Sequence, residues 1–134
     1  MTSKQAFLAL TLGDRRRIGY LVAGISIINI VQFLIAPPGT TVGRWGAIAG
    51  NALVMYWSVR PERAPGIWFT LLPYGWWIAA IFDGMAVGRG LLRGQKIDAT
   101  LVLSAMVVLM LPFLGGPLLR LHRLSKTESI ASSL

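Results

Sequence analysis

Residues 67–88 read Ile-Trp-Phe-Thr-Leu-Leu-Pro-Tyr-Gly-Trp-Trp-Ile-Ala-Ala-Ile-Phe-Asp-Gly-Met-Ala-Val-Gly. The run is long enough to cross a hydrocarbon layer about 30 Å thick as a helix. It nevertheless carries a carboxylate, Asp83, well inside its end. An acid in hydrocarbon is costly, faces protein or water rather than lipid, and marks a functional-site hypothesis. The rest of the chain is read outward from this stretch.

Whole-chain composition agrees with lipid as the solvent. Of 134 residues, 54% are apolar and only 13% charged, against the roughly 25% charged residues that wet a soluble domain. The mean hydropathy is +0.63. A net charge of +8 in a soluble chain suggests nucleic acid. Here the basic residues flank apolar runs, as anchors to lipid headgroups do, so no nucleic-acid partner is expected. Cysteine is absent, which excludes thiolate metal sites, disulfide exchange and cysteine nucleophiles.

Ahead of residue 67 the pattern predicts two more spans. Residues 18–36 form an apolar run ending at Pro37-Pro38-Gly39, where missing amide donors and a flexible glycine make a turn. Asn29 and Gln32 lie three apart and so share one face of that helix. Residues 45–59 form a shorter span bracketed by Arg44 and Arg60, whose long side chains snorkel outwards. Trp45 and Tyr56-Trp57 at its ends read as aromatic belts. Gly46 and Gly50 set a small-xxx-small face suited to close helix approach, and Asn51 follows directly. Residues 60–66, with two prolines, turn the chain back into the third span, 66–88, where Pro73 should kink the helix and Gly84 and Gly88 repeat the small-xxx-small spacing. A fourth span covers 99–121, with its last third expected to be kinked or unwound by Pro112, Gly115, Gly116 and Pro117.

The flanks are less patterned. In residues 1–17 the apolar patch precedes Arg15-Arg16-Arg17, the reverse of a secretory signal. Phe7, Leu8, Leu10 and Leu12 suit either a short interfacial turn ended by Gly13 or a frayed segment. Residues 122–134 are expected to be a flexible tail, with Ser125 a candidate helix cap.

The expected fold is therefore an all-α integral membrane protein, an antiparallel bundle of four transmembrane helices in one domain. Four spans put both ends on one side, with Lys4, Arg15, Arg16, Arg17, Arg60, Arg63, Arg120, Arg123 and Lys126. Only Arg44, Arg89, Arg93 and Lys96 lie on the other. The positive-inside rule makes the richer side cytoplasmic.

Counted from the opposite ends of the spans, Gln32, Asp83, Ser104, Asn51 and Asn29 fall at depths of roughly 6 to 11 Å at the helical rise. All four helices thus offer a polar group at one level. Trp76, Ala79 and Ala80 share the face of Asp83, leaving room beside its carboxylate with an indole as a wall. Asp83 is the candidate acid, base or ligand anchor; the competing reading has it hydrogen-bonded to Asn51 or Gln32, or paired with Arg89. Asn29, Gln32 and Asn51 serve equally as glue between helices.

No metal or cofactor is expected, because one histidine and no cysteine offer no ligand set. A serine triad is excluded too, since His122 belongs at the opposite face from Asp83. Three function classes remain. The first is a non-catalytic binding, accessory or assembly subunit, partnered by a second copy or another membrane protein. The second is a small membrane enzyme using Asp83 on an isoprenoid, quinone or polyketide. The third, a small-solute or proton carrier, is weakened by the lone acid and the absence of internal repeats.

Overall fold

The computed structural model describes residues 3–35, 41–94 and 96–133. Within these the protein is all-helical, with five α-helices and no strand. Helix α1 covers Ser3–Ala9, α2 Leu12–Ile35, α3 Thr41–Val59, α4 Gly66–Leu92 and α5 Ala99–Ser133, with a single 3-10 turn at Pro61–Arg63 between α3 and α4. The Pro37-Pro38-Gly39 turn anticipated between α2 and α3 lies outside the described residues.

Local chemistry sets several boundaries. Thr11 caps α2: its hydroxyl accepts the backbone N–H of Asp14 at 3.2 Å, and Asp14 adds negative charge to the first turn. Gly13, expected to stop the preceding segment, instead sits inside α2. The break falls earlier, at Leu10-Thr11, where the cap begins a new helix. Helix α4 ends at Gly94, whose φ of +62° is the left-handed conformation a glycine adopts freely. Asp98 starts α5 by accepting the N–H of Leu101 at 2.8 Å.

Two expectations for α5 need correction. The helix is continuous through Pro112 and Pro117, neither of which unwinds it, and Leu114, Leu118 and Leu121 remain buried across that region. It also continues to Ser133 where a flexible tail was expected, passing through Ser125. No glycine or proline follows Pro117, so nothing in the local sequence stops propagation once that turn has formed.

Two helical segments, Leu12–Ile35 and Ala99–Lys126, are long and apolar enough to cross a membrane. Helices α3 and α4 cover the other two anticipated spans; glycine, tryptophan, tyrosine and, in α4, Pro73 and Asp83 interrupt their aliphatic runs.

The helices lie in a row rather than a closed ring. Helix α3 packs on α2, α2 on α5, and α5 on α4, whereas α3 and α4 hardly touch. Helix α1 folds back onto α4 and α5. Phe7 is almost fully buried there, its ring 4.9 Å from Phe69 and 6.4 Å, edge-on, from Trp68. Leu10 is buried as well, while Leu8 and Leu12 are exposed. The first residues are thus a docked helix rather than a frayed end, because Phe7 finds an aromatic cleft.

Ties across the sequence gather the start of α2, the end of α3, the start of α4 and the later part of α5 at one end. The Lys4 ammonium donates to the Glu62 carbonyl at 3.0 Å and to the Ala64 carbonyl at 3.3 Å. Arg120 grips Asp14 through two bonds of 2.7 Å each, the two-pronged geometry a guanidinium offers a carboxylate. Arg44 donates to the Phe33 and Leu34 carbonyls at 3.0 and 3.2 Å, satisfying acceptors left open at the end of α2.

Candidate functional site

The polar residues anticipated at one level fall into two groups. In the first, Gln32 on α2 donates to the Ser104 hydroxyl on α5 at 3.0 Å, with a longer 3.5 Å contact to the Thr100 carbonyl. Ser104 is buried and stands beside Asp83. Gln32 and Ser104 thus link α2 to α5, with Asp83 of α4 next to them. Among the described residues Asp83 has no ion-pair partner, so Arg89 does not reach it.

The second group joins α2 to α3. Asn29 donates to the Asn51 carbonyl oxygen at 3.3 Å, and Asn51 donates to the Ala47 carbonyl one turn back at 2.8 Å. Each amide thereby meets part of its demand inside the protein, as buried amides must.

Trp76 ties α4 to α5. Its indole N–H donates to the Leu111 carbonyl at 2.7 Å. The ring lies against Gly115, where an added Cβ would meet it at 3.3 Å. Glycine at 115 is what lets the indole come near enough to reach the α5 backbone.

Two cavities border Trp76. The larger, about 580 Å³, lies along α4 and α5 and is lined by Phe69, Tyr74, Trp77, Leu118 and His122 among others. The smaller, about 350 Å³, is the groove where α3 and α4 part, floored by α2 and α5. Ser26, Asn29, Asn51, Trp57, Trp68 and Trp76 contribute to its lining. Asp83 lines neither.

Comparison of the chain with family models, curated proteins and solved structures gives no match. The site must speak for itself.

Its glycines were only partly anticipated. A Cβ at Gly46, Gly50, Gly84 or Gly88 would meet nothing within 4 Å, so these four leave space open within a single chain. The close approaches occur elsewhere. A Cβ at Gly19 would stand 2.9 Å from the Ser58 carbonyl oxygen, and one at Gly24 would stand 2.9 Å from Cε of Met110. Neither Gly19, Gly24 nor Gly115 belongs to the small-xxx-small pairs, and nothing local marks them: each faces a partner far along the chain.

Among the described residues no group of three or more acidic, histidine or cysteine side chains is placed to hold a metal ion.

Proposed function

We propose that this is a small multi-pass membrane protein of four antiparallel spans that binds or assembles without catalysis, as an accessory subunit or with a second copy of itself. Helices α2 and α5 supply the two segments long and apolar enough to cross a membrane, and α3 and α4 the other two spans. Large apolar side chains are widely exposed along them, with Tyr20, Phe82 and Leu109 each 70% exposed or more. Surfaces of that kind suit lipid or a partner rather than water. The distribution of Lys and Arg favours both ends of the chain on the cytoplasmic side.

One observation carries the non-catalytic reading. Asp83, the single acid within the spans, stands beside Ser104 and lines neither cavity. An acid or base catalyst has to reach its substrate proton directly or through one water, and Asp83 borders neither space that could hold a substrate. The same placement argues against a proton path through it.

Assembly is the part most open to test, because Gly46 and Gly50 face open space on α3. Leucines there leave the fold of one chain intact. In a mild detergent, the wild-type protein is expected to run as an oligomer, and Gly46→Leu with Gly50→Leu to shift it towards monomer. A wild-type protein that is monomeric at every concentration, in detergent and in bilayers, removes self-assembly from the proposal. Asp83→Asn is expected to keep both the fold and the association, since an amide can bond Ser104.

A further inference from the structure

The groove between α3 and α4 has the makings of a ligand site, and its lining restricts the ligand's chemistry. Its volume is about 350 Å³. At the ~30 Å³ that a water-sized group occupies in a liquid, this holds roughly a dozen non-hydrogen atoms, a substituted ring rather than a whole lipid.

No acidic, basic or histidine side chain is among the residues lining it. A charged ligand group would have no counter-charge in an apolar surrounding, so the enclosed part of the ligand is neutral. Trp57 of α3 and Trp68 of α4 add aromatic surface to the lining.

Two largely buried residues of the lining carry polar groups without a partner. Ser26 is 3% exposed and Trp68 6% exposed. Among the described residues neither side chain has a hydrogen-bond partner, in contrast to Trp76, which has Leu111, and neither polar atom is sealed off, since Arg15 Nε alone is both buried and unpartnered there. An indole N–H can only donate. Asn29 keeps a second N–H beyond the one given to Asn51. The groove thus offers donors to an occupant that carries acceptors.

The geometry points to a neutral ring bearing carbonyl acceptors, a lipid-soluble quinone, bound in the α3–α4 groove with its hydrocarbon tail leaving between those helices. Seated there, its carbonyls take the Ser26 hydroxyl and the Trp68 or Asn29 N–H, while the ring lies among the tryptophans. The tail then passes the exposed side chains of Leu53 and Leu71. No electron transfer is part of this reading; the site is a binding site. It rests on the non-catalytic membrane role above and names its ligand class.

The test is equilibrium binding of a decyl-substituted benzoquinone to the full-length protein in lipid nanodiscs, with decylbenzene as the probe lacking carbonyls. Expected is saturable one-to-one binding of the quinone and at least about tenfold weaker binding of decylbenzene, the loss of roughly two hydrogen bonds. Gly75→Leu should weaken quinone binding by about tenfold or more: Gly75 lines the groove, and a Cβ there meets nothing within 4 Å, so the leucine fills the site without displacing the fold. Ser26→Ala should weaken it several-fold, with helical content unchanged. Equal binding of the two probes overturns the proposal, as does indifference to Gly75→Leu or an absence of saturable binding. Bilayer insertion and the oligomeric state, measured on the same samples, separate the two levels. If both are as proposed and quinone does not bind, only the ligand assignment falls; if the chain does not insert, the membrane role falls.

Discussion

Gly19 and Gly24 lie on the same helix, and each would bring a Cβ to 2.9 Å from a neighbour. Their neighbours differ in what they can yield. At Gly19 the obstacle is the Ser58 carbonyl, part of the α3 backbone; at Gly24 it is the end of the flexible Met110 side chain. Gly19→Ala must push α2 and α3 apart and is expected to destabilise by about 1–3 kcal/mol, the usual range for overpacking. Gly24→Ala lets Met110 change rotamer and should cost under about 1 kcal/mol. Unfolding by SDS in mixed micelles, followed by far-ultraviolet circular dichroism, ranks the two; equal losses would mean that α3 is not held against α2 as described. Such residues show why the site was half legible. Asn29, Gln32, Asn51, Asp83 and Ser104 stand out in sequence because they are polar in apolar runs. Gly19 and Gly115 do not, since a close approach depends on the partner and leaves no local mark.

At the scale of the element, the apolar runs and their Pro and Gly punctuation indicate α2 to α4 within a few residues. Two elements escaped. One is α1, whose short patch gains meaning only beside Trp68 and Phe69, some sixty residues away. The other is the extent of α5, where four breaker residues suggested an unwinding that tertiary burial of Leu114 and Leu118 overrides. The docking of α1 gives a direct prediction. Phe7 is 1% exposed, so Phe7→Ala should remove about 3–5 kcal/mol of packing at that end. Limited proteolysis should then cut near residue 11 far faster than in wild type, while α2 to α5 stay protected. The Trp76 tie is smaller: Trp76→Phe loses one hydrogen bond, about 1 kcal/mol, and leaves the ring partly in place against Gly115.

For the whole molecule, the proposed topology is checked by the chemistry the chain lacks. With no native cysteine, single replacements at Lys96 and Lys126 report on one position each. Lys96→Cys should react with an impermeant maleimide added to intact cells, and Lys126→Cys only after permeabilisation. The reverse pattern inverts the orientation, and labelling of both from one side rejects the crossing by α5 that separates them. The expected orientation comes from charge placement alone, since lipid headgroups and the membrane potential act on each loop independently. The order of the helices was not, since four antiparallel helices close into a ring as readily as they lie in a row until side chains decide the pairs.

The row has a consequence in time. Helices leave the ribosome in chain order, so α2 and α3 meet and pack as soon as both exist. Helix α4, the next made, finds no large surface on α3, and its main neighbour α5 has yet to be synthesised. What it does find is α1, already finished, whose Phe7 fits between Trp68 and Phe69. On the proposed topology, the first seven-residue helix acts during biogenesis as a temporary mooring for a span waiting for its permanent partner. A protein synthesised without α1 would then show its defect in the yield of inserted α4, before any loss of stability in the chains that do mature.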